Sequence, residues 1–398
     1  MLRLWFKTGS VVEIQLKTLV LTQNFPPAPG GSGRWFWELY SRLGKDYIVV
    51  ADNQADTRAF DQQSSLEILR MPLYSPQWGV ASLAGLKYYW QCFKKLKKLV
   101  KQQNIDMIHC GRVLPEGLMA FMLKKVMGIP YYCYVHGEDL EASAQSRELN
   151  ALTKMVMGSA SKIICNSQNS ADIVNRVDSR VMDKVIVMHP GADTTKFVPL
   201  TEPDQSFIES MGWQDKKIIL TVGRLQVRKG QDKMIEAMPQ ILQRCPTAHY
   251  VIIGHGECKE RLETLIDSLN LREHVSLMTD CDDATMIKCY QHCDVFILPN
   301  RTEGQDIEGF GMVLVEAQAC AKPVIAGDSG GTKETLIPGE TGEIVDATST
   351  TALCEVIDKF LSQPALCEQY GAKGRVHAVS QFDWDNSAKR AQVLFKAD

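Results

Sequence analysis

The strongest constraint on the fold is a beat that runs the length of the chain. Short apolar runs, each bounded by turn residues, alternate with amphipathic stretches in two successive halves. In the first half the runs are residues 17–22, 47–51, 66–71, 106–110, 131–135, 162–167 and 184–193; in the second they are 217–225, 250–256, 274–278, 294–299 and 323–327. Runs this short and this apolar read as buried strands of a parallel sheet. The stretches between them, among them 34–43, 84–101, 118–127 and 231–244, supply crossover helices. The pattern predicts an α/β chain of doubly wound, Rossmann-like halves.

Bulk properties narrow the function. With 398 residues and 45% apolar composition, two or three domains with sizeable cores are expected. A net charge of −3 and the absence of a basic reader motif argue against a nucleic-acid partner. No apolar run approaches the roughly 18 residues of a membrane span. The start, Met1 to Lys7, lacks a long apolar segment with a small-residue cleavage site, so a cytoplasmic location is expected. Residues 1–15 receive no role. Twelve scattered cysteines form no disulfide-like framework and read as buried thiols. The one group with a metal-like look, Cys281, Cys289, His292 and Cys293, lacks a second ligand pair at zinc spacing, so no metal is expected.

Four places carry chemistry. Glu308-Gly309-Phe310-Gly311 runs into an apolar stretch containing Glu316. The small residues would open a helix, whose unpaired N–H groups and dipole favour an anion. Carboxylates beside such a site make sense if they accept hydrogen bonds from hydroxyls on either side of it. Eight positions at 1.5 Å per residue span up to about 12 Å, the scale of a nucleotide sugar. The alternative is an ordinary amphipathic helix with a solvated Glu at each end. Gly223-Arg224-Leu225 to Lys229-Gly230 places two cations on a strand-to-helix turn, where they can hold a diphosphate or form an exposed basic loop. Gly30 and Gly31 follow the first strand in a Pro- and Gly-rich turn, but without G-x-G-x-x-G spacing, so a nicotinamide or flavin cofactor is not supported; a plain surface turn is the other reading. His136 ends the fifth run, at the strand terminus where open α/β sheets bind ligands, or else it caps the next helix.

The order and spacing of these motifs resemble the retaining family 4 glycosyltransferases, with Glu308 and Glu316 as their E-x7-E pair. The resemblance covers nearly all of residues 17–398. It implies the GT-B fold, two Rossmann-like domains facing across a cleft. The first would span 1–198 and take the acceptor. The second would span 199–383 and bind the nucleotide sugar, and a terminal helix at about 384–398 would cross back to the first domain. Pro199 and Pro203 fit a hinge. By the same resemblance Glu316 binds the ribose diol, Arg224 and Lys229 the diphosphate, and Glu308 with the backbone of Gly309, Phe310 and Gly311 the hexose hydroxyls. His136 contacts the hexose near the reacting carbon, and Gly30 and Gly31 lie between donor phosphate and acceptor. No metal or other cofactor is implied, and Asp280-Cys281-Asp282 reads as a chance match to the D-x-D motif of a different transferase fold.

The stretch 299–309 looks most like the branch containing actinobacterial phosphatidylinositol mannosyltransferases. This favours GDP-mannose, with a UDP-sugar next, and a lipid-linked or glycan acceptor. The helix containing Lys94, Lys95, Lys97, Lys98 and Lys101 among aromatics reads either as the solvated face of a crossover helix or as a contact with an anionic membrane. Two other classes remain open on sequence: a nucleotide-sugar epimerase of the same fold and a non-catalytic glycan-binding scaffold.

Overall fold

A computed structural model describes residues 16–75 and 78–396. Residues 1–15, to which the sequence assigned no role, lie outside that range. Contacts divide the chain into two units, Met1–His189 with Trp384–Asp398, and Pro190–Asp383.

The first unit is built on seven parallel strands: β1 (Thr18–Thr22), β2 (Tyr47–Asp52), β3 (Glu67–Met71), β4 (Met107–Cys110), β5 (Tyr131–Val135), β6 (Lys162–Cys165) and β7 (Val185–Val187). Their order is β3-β2-β1-β4-β5-β6-β7, so the sheet reverses direction of growth between β1 and β4. β1, β4 and β5 are buried at every residue, as both-face burial demands of their unbroken apolar runs. The helix Trp384–Lys396 belongs to this unit. Asp385 pairs with Arg42 Nε at 2.8 Å, Lys162 Nζ donates to the Leu394 carbonyl at 2.9 Å, and the Phe395 ring lies 4.6 Å from that of His109.

The second unit has six parallel strands: β8 (Lys217–Val222), β9 (Ala248–Ile253), β10 (Val275–Met278), β11 (Val295–Leu298), β12 (Val324–Gly327) and β13 (Gly342–Val345). Their order is β10-β9-β8-β11-β12-β13. β13 went unrecognised in the sequence because Gly-Glu-Ile-Val is short and half polar, as an edge strand can be. The segment after His189 is fastened to this unit: the Ala192 N–H donates to Phe382 O at 2.9 Å, and Arg375 donates to the carbonyls of Thr194 and Phe197 at 3.0 and 2.8 Å. Arg375 also donates to Ala319 O at 2.8 Å, satisfying a terminal carbonyl of the short helix Met312–Ala319.

All twelve cysteines are free, and among the described residues no group of three His, Cys, Asp or Glu side chains is arranged to hold a metal ion. Both ring nitrogens of His292 are engaged, with Lys288 O at 2.7 Å and the Asp204 N–H at 3.0 Å, which removes it from any set with Cys289 and Cys293. Asp282 caps the helix Asp283–His292 by accepting from Thr285 N at 2.7 Å, a local job that accounts for its place in the D-x-D stretch.

Candidate functional site

In the second unit the phosphate-type loop leaves β8 at Gly223, forms one tight turn at Val227–Lys229 and enters the helix Gln231–Arg244. Arg224 is exposed, and no ion pair among the described residues includes it. Lys229 is buried, its Nζ 2.5 Å from Glu308 Oε2. Arg228, which the sequence reading passed over, is buried too, and its guanidinium binds both Glu308 Oε2 and Asp306, the latter at 2.9 Å. Burial alone would raise the Glu308 carboxyl; Lys229 and then Arg228 outweigh it and hold its pKa at about 2. Lys229 goes the other way, its pKa lowered by burial more than Glu308 restores.

The helix carrying Glu316 starts where expected. Gly311, at φ +92°, sits in the left-handed region that opens Met312–Ala319, and Gly330, at φ +68°, packs so close that a Cβ would lie 2.0 Å from Glu308 O. Gly331 N–H then donates to that same carbonyl at 2.9 Å, fixing the backbone at Glu308. The Phe310 ring is buried against Phe382, so this residue has only backbone to offer a ligand. Glu316 is buried and accepts a 2.8 Å bond from Tyr290 OH on the neighbouring helix.

Behind the loop lies a network the sequence did not disclose. Arg301, after β11, binds Asp232 through two guanidinium nitrogens at 2.7 and 3.0 Å, and Arg261 adds a third contact at 2.9 Å. The Arg301 N–H donates to Arg228 O at 2.8 Å, and Glu303 and Asp306 exchange two backbone bonds. The turn carrying Asp306 and Glu308 is thereby tied to the turn carrying Arg228 and Lys229. Only Arg228 had a local signal, its place directly before Lys229.

In the first unit His136 ends β5, as read. It does not cap the helix Glu138–Ala144 with its side chain: Nε2 donates to Gly111 O at 2.9 Å, and the ring meets Trp35 and Phe36 edge-on at 5.7 and 5.9 Å. That bond puts the proton on Nε2 and leaves Nδ1 as the acceptor. Burial lowers its pKa, so the ring is held neutral. Gly30 and Gly31 stand at the start of the helix Gly31–Leu43, which has no side-chain cap at Gly30.

The helix Leu83–Gln103 resolves the two readings of its lysines only in part. Tyr89, Cys92, Phe93, Leu96 and Val100 face the core, yet Leu83, Leu86 and Trp90 are 86%, 52% and 53% exposed on a stripe beside that face. Lys94 lies over the Trp90 ring at 4.9 Å. No described helix is long and apolar enough to cross a membrane.

Two parallel sheets of this order are the architecture of the GT-B fold. Family models agree: residues 29–196 match Glycosyltransferase Family 4 and residues 204–377 match Glycosyl transferases group 1. The chain belongs to glycosyltransferase family 4, enzymes that move a sugar from a nucleoside-diphosphate donor to an acceptor. It is 28% identical to a GDP-mannose-dependent monoacylated alpha-(1-6)-phosphatidylinositol monomannoside mannosyltransferase of Corynebacterium glutamicum, over 96% of this chain and 98% of that one. It is also 28% identical to a GDP-mannose-dependent alpha-(1-6)-phosphatidylinositol monomannoside mannosyltransferase of Mycolicibacterium smegmatis, over 94% and 97%. In fold it is similar to Anabaena HepE crystallised with UDP and glucose, with a TM-score of 0.81 at 18% identity, over 96% of this chain and all of that one.

Proposed function

We propose that this chain is a retaining mannosyltransferase that uses GDP-mannose and elongates a lipid-linked or glycan acceptor. The observation that carries the reading is the buried Lys229–Glu308 contact, which brings one cation of the first motif against the first carboxylate of the other. Choice of donor is supported by the two relatives matched along nearly their whole length, whose names specify GDP-mannose.

In this reading an incoming diphosphate takes Lys229 and Arg224, and the freed Glu308 carboxylate accepts from the hexose hydroxyls. Gly309, Phe310 and Gly311 offer backbone N–H groups beside it, and Glu316 binds the ribose diol. The acceptor oxygen bonds to the anomeric carbon on the face the phosphate leaves; the carbon–oxygen bond to the β-phosphate breaks, and the departing phosphate oxygen takes the acceptor proton. Charge growing on that oxygen is stabilised by Arg224, Lys229 and the helix start, fixed donors that need no reorganisation. His136, neutral and rigid, positions the hexose, and the Gly30–Gly31 turn lies between donor phosphate and acceptor. The exposed Leu83, Leu86 and Trp90, with lysines further along the helix, suit a shallow contact with an anionic membrane holding a lipid-linked acceptor.

The test is transfer from GDP-mannose and, separately, UDP-glucose to vesicles containing phosphatidylinositol, with the product linkage read by NMR. The reading expects α-linked mannose from GDP-mannose, undiminished by EDTA, and no turnover of donor alone. An inverted linkage, or conversion of the nucleotide sugar without acceptor as an epimerase would give, contradicts it.

A further inference from the structure

The second unit buries a charged group that its core does not call for. The helix Met312–Ala319 is apolar almost all round, and its residues from Leu314 to Ala319 are buried, Glu316 among them at 2% exposure. A buried carboxylate is costly unless hydrogen bonds satisfy it. One partner comes from the preceding helix, Asp283–His292, which Asp282 caps and whose Met286, Ile287 and Tyr290 share the face that packs into the same core. Tyr290 OH donates to Glu316 Oε2 at 2.8 Å.

Tyr290 is itself held on two sides. Its ring stacks on Phe296 of β11, with centroids 5.4 Å apart and planes 29° from parallel, and it meets Phe197 edge-on at 5.5 Å and 87°. All three rings are fully buried. A phenol packed this way has no room to turn, so its hydroxyl is a fixed donor. A glutamate side chain is among the most flexible, and a bond to a fixed donor removes much of that freedom before a ligand arrives.

The chemistry of a preset carboxylate says what it can select. Ionised, it only accepts, at about four lone-pair sites, so the Tyr290 bond aims the group without using up its accepting capacity. A site built to pair with a ligand hydroxyl rejects the analogue lacking it, because the buried acceptor is then left unpaired. That penalty requires an acceptor that stays in place. A carboxylate free to turn would find another partner and lose its discrimination.

We infer that Tyr290 is a positioning residue for the donor: its hydroxyl fixes Glu316 so that the carboxylate receives the ribose diol, and this makes the site select ribonucleoside over 2′-deoxyribonucleoside diphosphates. The inference rests on the donor reading above, which gives Glu316 the ribose, and adds what holds that carboxylate and what the holding selects.

The experiment uses the full chain, Tyr290→Phe, Glu316→Ala and the double variant. GDP, 2′-deoxy-GDP, UDP and 2′-deoxy-UDP are titrated by calorimetry, with an unfolding curve for every variant. The diol is common to both bases, so either pair reads it. The natural protein should bind the ribonucleotide at least about ten-fold more tightly than its deoxy counterpart, the scale of one hydrogen bond to a charged group. Tyr290→Phe keeps the ring and its packing and removes only the hydroxyl; it should shrink that preference to about three-fold or less, chiefly by weakening the ribonucleotide. With GDP-mannose as donor, KM should rise while kcat stays within about two-fold, as for a contact made equally in ground and transition states. Glu316→Ala should abolish the preference, and adding Tyr290→Phe to it should change nothing further. A purely structural Tyr290 predicts a lower unfolding midpoint with the preference intact, and that result overturns the inference while the donor reading stands. No preference in the natural protein, a preference that survives Glu316→Ala, or no binding of any of these nucleotides strikes at the donor reading and takes the inference with it. Should Tyr290→Phe fail to fold, Phe197→Leu decides: loosening the ring from one side should lower the preference, and an unchanged preference there overturns the inference.

Discussion

Lys229 Nζ and Glu308 Oε2 stand 2.5 Å apart, side chains 9% and 12% exposed, across 79 residues of sequence. Arg228 joins them, so one buried carboxylate balances two buried cations. Removing one partner of such a pair leaves charge stranded in low dielectric, at a cost of roughly 3–5 kcal/mol. Glu308→Gln should therefore lower the unfolding midpoint of the ligand-free protein and bind GDP more tightly than the natural chain, because the diphosphate no longer competes with a carboxylate. Transfer should nonetheless fall, since the hexose loses its acceptor. Equal or weaker GDP binding by the variant would contradict this exchange.

Arg224 is the cation left exposed and unclaimed by an ion pair. Its substitution to Ala should leave folding intact and reduce turnover by about 10²–10³-fold, the range for losing one fixed donor to a developing oxyanion. Steady-state kinetics with GDP-mannose and an unchanged unfolding curve are the readouts. Full activity in Arg224→Ala would remove it from the site.

Arg301 acts through Asp232. Its two bonds to Asp232, both residues buried, hold the 303–308 turn onto the phosphate loop. Arg301→Ala should cost stability of about 3–5 kcal/mol and weaken GDP binding as well. Arg301→Lys should recover only part of each, because an ammonium cannot reproduce the planar fork. Urea unfolding and GDP titration test both halves.

Much of this site was legible, and the part that was not has a common cause. Glu308, Gly311 and Glu316 lie on one turn and helix, and Arg224 and Lys229 on one loop, so spacing along the chain already carried their relation. The ion pair Asp232–Arg301 and the hydrogen bond from Tyr290 to Glu316 join separate elements, 69 and 26 residues apart. Nothing local marks them until the sheet brings strand ends together. Arg228 was missed for another reason: beside Lys229 it looked like one more surface charge, and only its burial distinguishes it.

Protons should destabilise the fold in a defined window. Burial lowers the pKa of His136, His249, His292 and His377, that of His249 to about 4. The unfolded chain takes up protons at these imidazoles near pH 6.5 while the folded one resists, so stability is complete above that value and falls as pH drops toward the folded pKa values. Glu116, its pKa raised by burial, works in the opposite direction but is one group against four. Urea midpoints should fall between pH 7 and pH 5, less steeply in His249→Asn. A midpoint that holds constant or rises on acidification would contradict this.

The exposed face of Leu83, Leu86 and Trp90 makes a separable prediction. Trp90→Ser with Leu83→Ser should reduce flotation with anionic vesicles several-fold, and high salt should reduce it further, since the nearby lysines are screened. GDP binding should not change. Vesicle association that survives both substitutions would assign membrane contact elsewhere.

The central claim is that the second unit holds a nucleoside-diphosphate sugar on the Arg224–Lys229 loop and the Glu308–Glu316 helix start. The most direct measurement is thermal unfolding against a panel of GDP, UDP, ADP and their sugars, because a ligand that binds the native state raises its stability by mass action. The account predicts a clear upward shift, largest with GDP and GDP-mannose, that disappears in Lys229→Ala. No shift with any member of the panel, or a shift that Lys229→Ala leaves intact, would contradict it.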